Sequence, residues 1–380
     1  MDLRNFRTIE QRRKALERTL KISLKNIGHY SLDGKVASTK NCENMIGAAQ
    51  VPLGIAGPIK IKATCNTQHA TRCFVPLATT EGALVASVNR GCKAITLSGG
   101  TNVFVEEIGA TRAPVFKVKG ISQALKLKSW IRENFADLKK VAEKTSAHLT
   151  LKDVQTFFVG KNVFCRFIFD TEEAMGMNMV TIATDEMIQF IETKTKVKCI
   201  SITGNLCVDK KPSWLNFILG RGKKVWAECH FSKNVIKEVL KTTPEKIFEV
   251  WLKKCLLGSS LAGSLGFNAH FANILAAIFL ATGQDLAHLS EGSLGITTTE
   301  VNVDGGLDVS VYLPDLMIGT VGGGTGLATQ KEAFKILGIE QSKKGSAFRL
   351  AEIIGGAVLA GEVSLLASLA EGSLVKAHKR

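Results

Sequence analysis

Apolar positions recur at helical spacing near the start of the chain, where Ile9, Leu16, Leu20 and Leu24 punctuate an otherwise polar segment, residues 5–28. Asp33-Gly34 then marks a turn. Residues 51–62, VPLGIAGPIKIK, combine an alternating strand pattern with two prolines and two glycines. The segment 79–95 reads as a helix opened by Thr79 or Thr80. From Pro114 the texture changes. A strand-like 115–118 is followed by a lysine-rich amphipathic helix over 120–144. A strand pair at 154–169 turns about Gly160-Lys161-Asn162, then come a helix at 173–194 and a strand at 197–203. That β-α-β-β-α-β order is the split pattern of ferredoxin-like domains, so 114–201 is expected to be a small insertion. Beyond it the pattern predicts helices at 212–218, 233–241, 244–257 and 268–283. A strand at 307–313 leads into GTVGGGTG, and a small-residue helix covers about 346–371.

A length of 380 residues fits two or three domains, or one domain carrying an insertion. Nine scattered cysteines without a CxxC pair point away from a disulfide framework or a zinc site and toward a reducing cytoplasm. The N-terminal residues are charged throughout, and the most apolar stretch, 274–281, is far short of the ~20 residues of a membrane span; a soluble protein is expected. The net charge of +15 is spread over single lysines without long basic runs or interleaved tyrosines. It fits a solvated surface or attraction for phosphate-rich cofactors better than a nucleic-acid footprint.

Five segments carry candidate chemistry, each with a plainer alternative. Glu81 is either a capping carboxylate at a helix N-terminus or a proton donor. The lysines of Asp209-Lys210-Lys211-Pro212 form a solvated turn or supply a cation for an oxyanion. Asp285, after an apolar helix, is a cap or a functional anion. His270 and Asn273 share a helix face, and His270 is a core residue or part of a site. His378 stands near the C-terminus, either idle or as a mobile general acid. GTVGGGTG follows a strand but lacks the GxGxxG spacing and the later acidic residue of a Rossmann loop.

Nine ordered segments together resemble the 3-hydroxy-3-methylglutaryl-CoA reductase family: ENMIGAAQVPLGIAGP, TTEGALVASVNRGCKAI, GATRAPV, EAMGMNM, TGNLCVDKKP, GSSLAGSLGFNAHFANI, ATGQDLAH, GTVGGGT and LVKAHK. The DKKP form resembles class I. The resemblance implies an α+β/α/β multidomain fold. Its parts would be a helical N-terminal segment (1–39), a large α/β substrate domain around a central helix (40–113 and 202–380), and an inserted ferredoxin-like NADP(H)-binding domain (114–201). It implies a soluble, cytoplasmic form without the membrane anchor of some members. The assembly would be a homo-oligomer, dimer or tetramer, with active sites at dimer interfaces and no nucleic-acid or membrane partner.

The implied reaction is four-electron reduction of 3-hydroxy-3-methylglutaryl-CoA to mevalonate and CoA with two NADPH and no metal. The matching catalytic positions are Glu81, with Asp285 beside it and beside Lys210, and His378 for the departing thiolate. The matching substrate positions are Ser87, Asn89, Arg112, Thr203, Asp209, Lys211, Lys254, His270 and Asn273; Thr203 replaces the usual serine. The matching cofactor positions are Ser146, Glu173, Met175, Gly176, Met177 and Asn178. Glu173 replaces an aspartate. Ala147 stands where an arginine often contacts the 2′-phosphate, which leaves NADH possible as donor, with Lys144 or Lys161 as substitute cations. A mevalonate-oxidising, NAD-linked member is the alternative within the family.

Overall fold

The computed structural model describes residues 5–63 and 70–372. Eleven strands form one continuous sheet: β1 (Leu53–Ala63), β2 (Thr71–Ala78), β3 (Thr101–Arg112), β4 (Val115–Lys117), β5 (Thr150–Val159), β6 (Asn162–Asp170), β7 (Lys198–Ser201), β8 (Arg221–Phe231), β9 (Gly266–Phe267), β10 (Gly295–Val301) and β11 (Leu307–Leu316). The main order is β7-β4-β6-β3-β8-β11-β10-β9, with β1 paired to both β2 and β3, and β5 paired to β6. β3 serves both halves. Its residues Asn102 to Gly109 pair with β8, and Ala110–Arg112 pair with Phe167–Phe169 of β6.

The larger half is built on the helix Ser346–Glu371. Its length and composition would suit a bilayer, yet 78% of its apolar window is buried inside the protein. It is the core helix, and a longer apolar run than the 274–281 segment singled out above. Small residues let it lie close to its neighbours. A Cβ on Gly355 would stand 2.6 Å from Val225, and one on Gly91 would stand 1.9 Å from the carbonyl oxygen of Ala360. The second glycine therefore sets how closely the helix Leu84–Leu97 approaches the core helix.

The smaller half runs β4, helices, β5, β6, helix, β7, in the antiparallel order β7-β4-β6-β5, around its own apolar core including Phe116, Leu127, Phe167, Val180 and Ile191. The helix expected over 120–144 is two helices, Ile121–Glu133 and Phe135–Glu143. Asn134 divides them, turning its side-chain amide back onto the Trp130 carbonyl.

Other boundaries also move. The helix near residue 80 begins at Leu84 after a left-handed Ala83, while Thr79 accepts the Glu81 N–H instead of opening it. Asp33 caps the short helix Gly34–Lys40, where a turn was expected. The first helix covers only Ile9–Leu20, closed by a left-handed Lys21. All eight cysteines among the described residues are free thiols.

Candidate active site

The loop between β7 and the helix Trp214–Leu219 carries the lysine pair. Asn205, Val208 and Lys210 all adopt left-handed φ angles there. Such backbone is costly, above all for β-branched valine, and persists only where its surroundings hold it. Here Thr111 Oγ1 donates to the Cys207 carbonyl at 3.1 Å and Asn216 Nδ2 to the Val208 carbonyl at 3.3 Å. The Lys210 N–H donates to Glu291 Oε2 at 2.7 Å. So held, Lys210 sends its Nζ to within 2.7 Å of Asp285 Oδ2.

Asp285 follows the helix Phe271–Thr282, which ends at a left-handed Gly283. It caps the next turn, its Oδ1 accepting the Ala287 N–H at 3.0 Å. Both readings of Asp285, cap and functional anion, therefore apply. Partial burial pushes its carboxyl up, but the Lys210 hydrogen bond, the Ala287 N–H and the charges of His288 and Lys210 outweigh that and hold it below the ordinary carboxylate range.

Behind this pair lies a largely buried network in which Arg221, Glu291, His288 and Asp315 join Asp209, the one member singled out in the sequence. Arg221 is fully buried. It donates to Glu291 Oε1, to Asp209 Oδ1 at 2.8 Å and to Thr111 Oγ1 at 2.9 Å. The oxygen of Glu291 that receives Arg221 also receives His288 Nδ1. Asp315, likewise buried, accepts from Asn216 Nδ2 at 2.7 Å. Burial and the Glu291 charge push its carboxyl well above the usual range despite Arg221, Asn216 and Arg166.

Ligand atoms of Asp209, His288 and Glu291 lie within 4.8 Å of one another, a spacing that suits a metal ion. The Arg221 guanidinium binds both carboxylates, so the cation of this cluster is an arginine. A sequence signal for the network existed: Asp285, His288 and Glu291 recur every third residue, one face of a helical turn.

Glu81 is elsewhere in the chain's own frame. It is exposed, and its Oε1 accepts Asn273 Nδ2 at 3.2 Å. Asn273 also reaches His270 Nδ1 at 3.4 Å, while His270 Nε2 bonds the Gly361 carbonyl at 2.8 Å, which fixes the ring as its Nε2–H tautomer. Buried Glu362, on the core helix, binds the N–H groups of Ala269 and His270 at 2.8 and 2.7 Å and also takes the Thr297 hydroxyl. Asn273 and Asp285 belong to opposite ends of a helix whose twelve residues rise about 18 Å. The expectation that Asp285 sits beside both Lys210 and Glu81 therefore holds within one chain for Lys210 alone. Nor does burial by this chain's own residues act on Glu81.

Of the expected substrate positions, Arg112 lies 3.9 Å from Asp209, donates to Thr181 Oγ1 at 2.6 Å and leaves its buried Nε without a partner. Thr203 meets the Cys207 sulfur at 3.5 Å, Lys211 Nζ turns back to the Asp209 carbonyl at 3.1 Å, and Lys254 is exposed. Ser87 donates to Ser364 on the core helix and Asn89 accepts the Gly57 N–H, so both brace neighbouring elements. His378 lies outside the described residues.

The cofactor motif packs onto the glycine cluster. The N–H of Thr320 donates to the Glu173 carbonyl at 2.8 Å, and a Cβ on Gly319 would strike the Met175 nitrogen at 2.3 Å. The Glu173 carboxylate is spent on the core helix, accepting the Gly345 and Ala347 N–H groups at 2.6 and 2.7 Å and the Ser346 hydroxyl at 2.9 Å. It is a helix cap, not a free cofactor contact.

Gly176, at φ 84, precedes Met177 and Asn178 at the start of the helix Met177–Thr195, which has no side-chain cap. A Cβ there would meet Thr171 at 2.4 Å. The uncapped amides of a long helix suit a phosphate, so this segment fits a dinucleotide. Ser146 accepts the His148 N–H at 3.1 Å and stands 3.7 Å from the Met179 sulfur of the same helix. Gln284, next to Asp285, pairs with both the N–H and the carbonyl of Gly319 at 3.0 and 2.9 Å, tying the Lys210–Asp285 pair to this segment.

Residues 8–380 match the family model of hydroxymethylglutaryl-coenzyme A reductase. The 3-hydroxy-3-methylglutaryl-coenzyme A reductase of Methanocaldococcus jannaschii is 53% identical over 377 residues, covering 97% of this chain and 91% of that protein. The enzymes of the same name from Pyrococcus abyssi and Haloferax volcanii are 52% and 47% identical, each covering 97% of this chain and 91% of the relative. Among solved structures, the class II 3-hydroxy-3-methylglutaryl-CoA reductase of Streptococcus pneumoniae, bound to NADPH in open conformations, superposes with a TM-score of 0.70. It covers 96% of this chain and 97% of its own at 19% identity, a likeness of fold alone. The chain belongs to the hydroxymethylglutaryl-coenzyme A reductase family.

Proposed function

We propose that this protein reduces 3-hydroxy-3-methylglutaryl-CoA to mevalonate and CoA at the expense of two NADPH, as a step of the mevalonate pathway. The observation that carries the reading is the Lys210–Asp285 contact at 2.7 Å, on a loop whose strained backbone is anchored by a buried network. Each hydride addition places negative charge on a former carbonyl oxygen. A preformed ammonium facing that oxygen is worth about 3–4 kcal/mol of barrier, by analogy with an oxyanion-hole donor. Asp285 holds the Lys210 ammonium in place.

Glu81 donates the proton that completes each alcohol, its carboxyl oriented by Asn273. Its exposure and its separation from Lys210 favour a homodimer in which Glu81 of one chain faces the Lys210–Asp285 pair of the other. His378 protonates the CoA thiolate. Arg112, Lys211 and Lys254 neutralise the glutaryl carboxylate.

The smaller half, 114–201, is read as a ferredoxin-like cofactor domain because it has its own core and the antiparallel order β7-β4-β6-β5. When bound there, NADPH would supply the hydride, and the uncapped helix amides after Gly176 would hold its phosphates. The DKKP lysine pair favours class I, and the protein is assigned to the cytoplasm on its free thiols.

The test mixes the purified protein with the thioester and follows nicotinamide absorbance with NADPH and NADH in parallel. Oxidation of two NADPH per CoA released is the expected result. No oxidation by a folded protein with either donor overturns the proposal.

A further inference from the structure

One fully buried titratable side chain that the mechanism above does not use lies against the Lys210–Asp285 pair. His288 is wholly inaccessible to solvent. Its Nδ1 faces the Glu291 carboxylate, an acceptor, and so carries the ring proton. Its Nε2 has no hydrogen-bond partner and lies 3.7 Å from Asp285 Oδ2, the oxygen that also holds Lys210 Nζ. Glu291 is fixed in turn by Arg221 and by the Lys210 N–H. A histidine kept only for packing satisfies both ring nitrogens, since a buried polar atom without a partner is costly. Here the second nitrogen is aimed at the one carboxylate oxygen that matters for the oxyanion cation.

We propose that His288 is a positioning residue for the reduction: Glu291 orients its ring, and its Nε2 edge sets the place of Asp285 Oδ2 and thereby of Lys210 Nζ. The proposal rests on the oxyanion role of Lys210. The charged groups around the ring are Asp285, Glu291, Asp209, Arg221 and, across Asp285, Lys210. The bare Nε2 turns its lone pair toward Asp285 Oδ2 and leaves that oxygen to Lys210.

Two amide replacements separate the nitrogens. In His288→Asn the side-chain amide takes the place of Nδ1 and keeps the bond to Glu291. In His288→Gln it extends to the place of Nε2. With the thioester and NADPH, and with thermal unfolding measured alongside, His288→Asn should keep its Tm and its KM. Its kcat should fall on the order of tenfold or more, as losses of groups supporting a reactive side chain do. His288→Gln should recover most of that loss.

Wild-type kcat in His288→Asn overturns the role, as do equal losses in both variants or a loss confined to KM and Tm. If the Asn variant does not fold, equal kcat in His288→Gln and His288→Leu overturns it. A wild-type protein that does not oxidise NADPH with this thioester sinks the underlying function and this role with it, whereas an active wild type with an unaffected Asn variant sinks this role alone.

Discussion

Lys210 Nζ meets Asp285 Oδ2 at 2.7 Å while the backbone N–H of the same lysine is held by Glu291 Oε2, also at 2.7 Å. Anchorage and chemistry are thus divided between main chain and side chain. Lys210→Ala removes the ammonium and leaves the anchor. It should lower kcat by about 10²–10³-fold, the usual cost of one oxyanion donor, with Tm nearly unchanged. Retention of substantial turnover in steady-state assays would remove Lys210 from the oxyanion role.

The same contact predicts a pH signature. Asp285 sits below its ordinary range in the folded protein, so the ion pair favours folding above the unfolded aspartate value of roughly 3.9 and loses that contribution as pH falls through the lower folded value. Both partners are more than a third exposed, so the effect is small. The Tm gap between wild type and Asp285→Asn should therefore be modest at neutral pH and narrow as the solution is acidified below the unfolded aspartate value. A gap that does not vary with pH assigns the loss to the Asp285 cap on Ala287 instead.

How much of this was legible depended on where the polar atoms lie. The core helix announced itself through its run of Gly, Ala, Leu and Ile, and the β-α-β-β-α-β order of the smaller half through alternation and helical period. β8 did not: its inward row begins with two charged residues, Arg221 and Lys223, before Val225, Ala227, Cys229 and Phe231, and Trp226 stands on the outward row. Local spacing left Lys210 and Asp285 ambiguous, and the family resemblance singled them out. Arg221, Glu291, His288 and Asp315 were missed because charged residues are ordinarily read as surface, and only tertiary packing buries these four together. The placement of Glu81 beside Lys210 is not met within one chain, and local spacing carries no sign of which chain supplies each residue.

Arg221 is the counter-ion of two carboxylates inside the protein, and its loss would strand Glu291. Arg221→Met should destabilise by about 3–5 kcal/mol, the usual cost of breaking one side of a buried pair. The double variant Arg221→Met/Glu291→Leu should lose clearly less than the sum of its single changes. Urea unfolding of the four proteins measures the coupling, and strict additivity would mean that the two side chains act independently.

The separation of Glu81 from Lys210 has a direct genetic test. Glu81→Gln and Lys210→Ala should each be nearly inactive alone. If the site is shared across a twofold interface, random mixing by unfolding and refolding the two together gives half heterodimers, each with one intact site, and so about a quarter of wild-type activity. A mixture as inactive as its components would place Glu81 and Lys210 of a single chain in the same site, and the separation seen here would then have to close by rearrangement within that chain.

Ala147 is exposed, beside Ser146, in the loop that precedes β5. A guanidinium at this position has room to extend and would add a bidentate partner for a 2′-phosphate that NADH lacks. Ala147→Arg should lower KM for NADPH several-fold, on the scale of about 1 kcal/mol for one partly solvated charge-assisted contact, and leave KM for NADH as it was. Because the two cofactors differ only in that phosphate, equal changes in both constants would point to a shift of the loop as a whole. No change in either would mean that Lys144 or Lys161 already meets the phosphate, and replacing each lysine with alanine would then raise KM for NADPH alone.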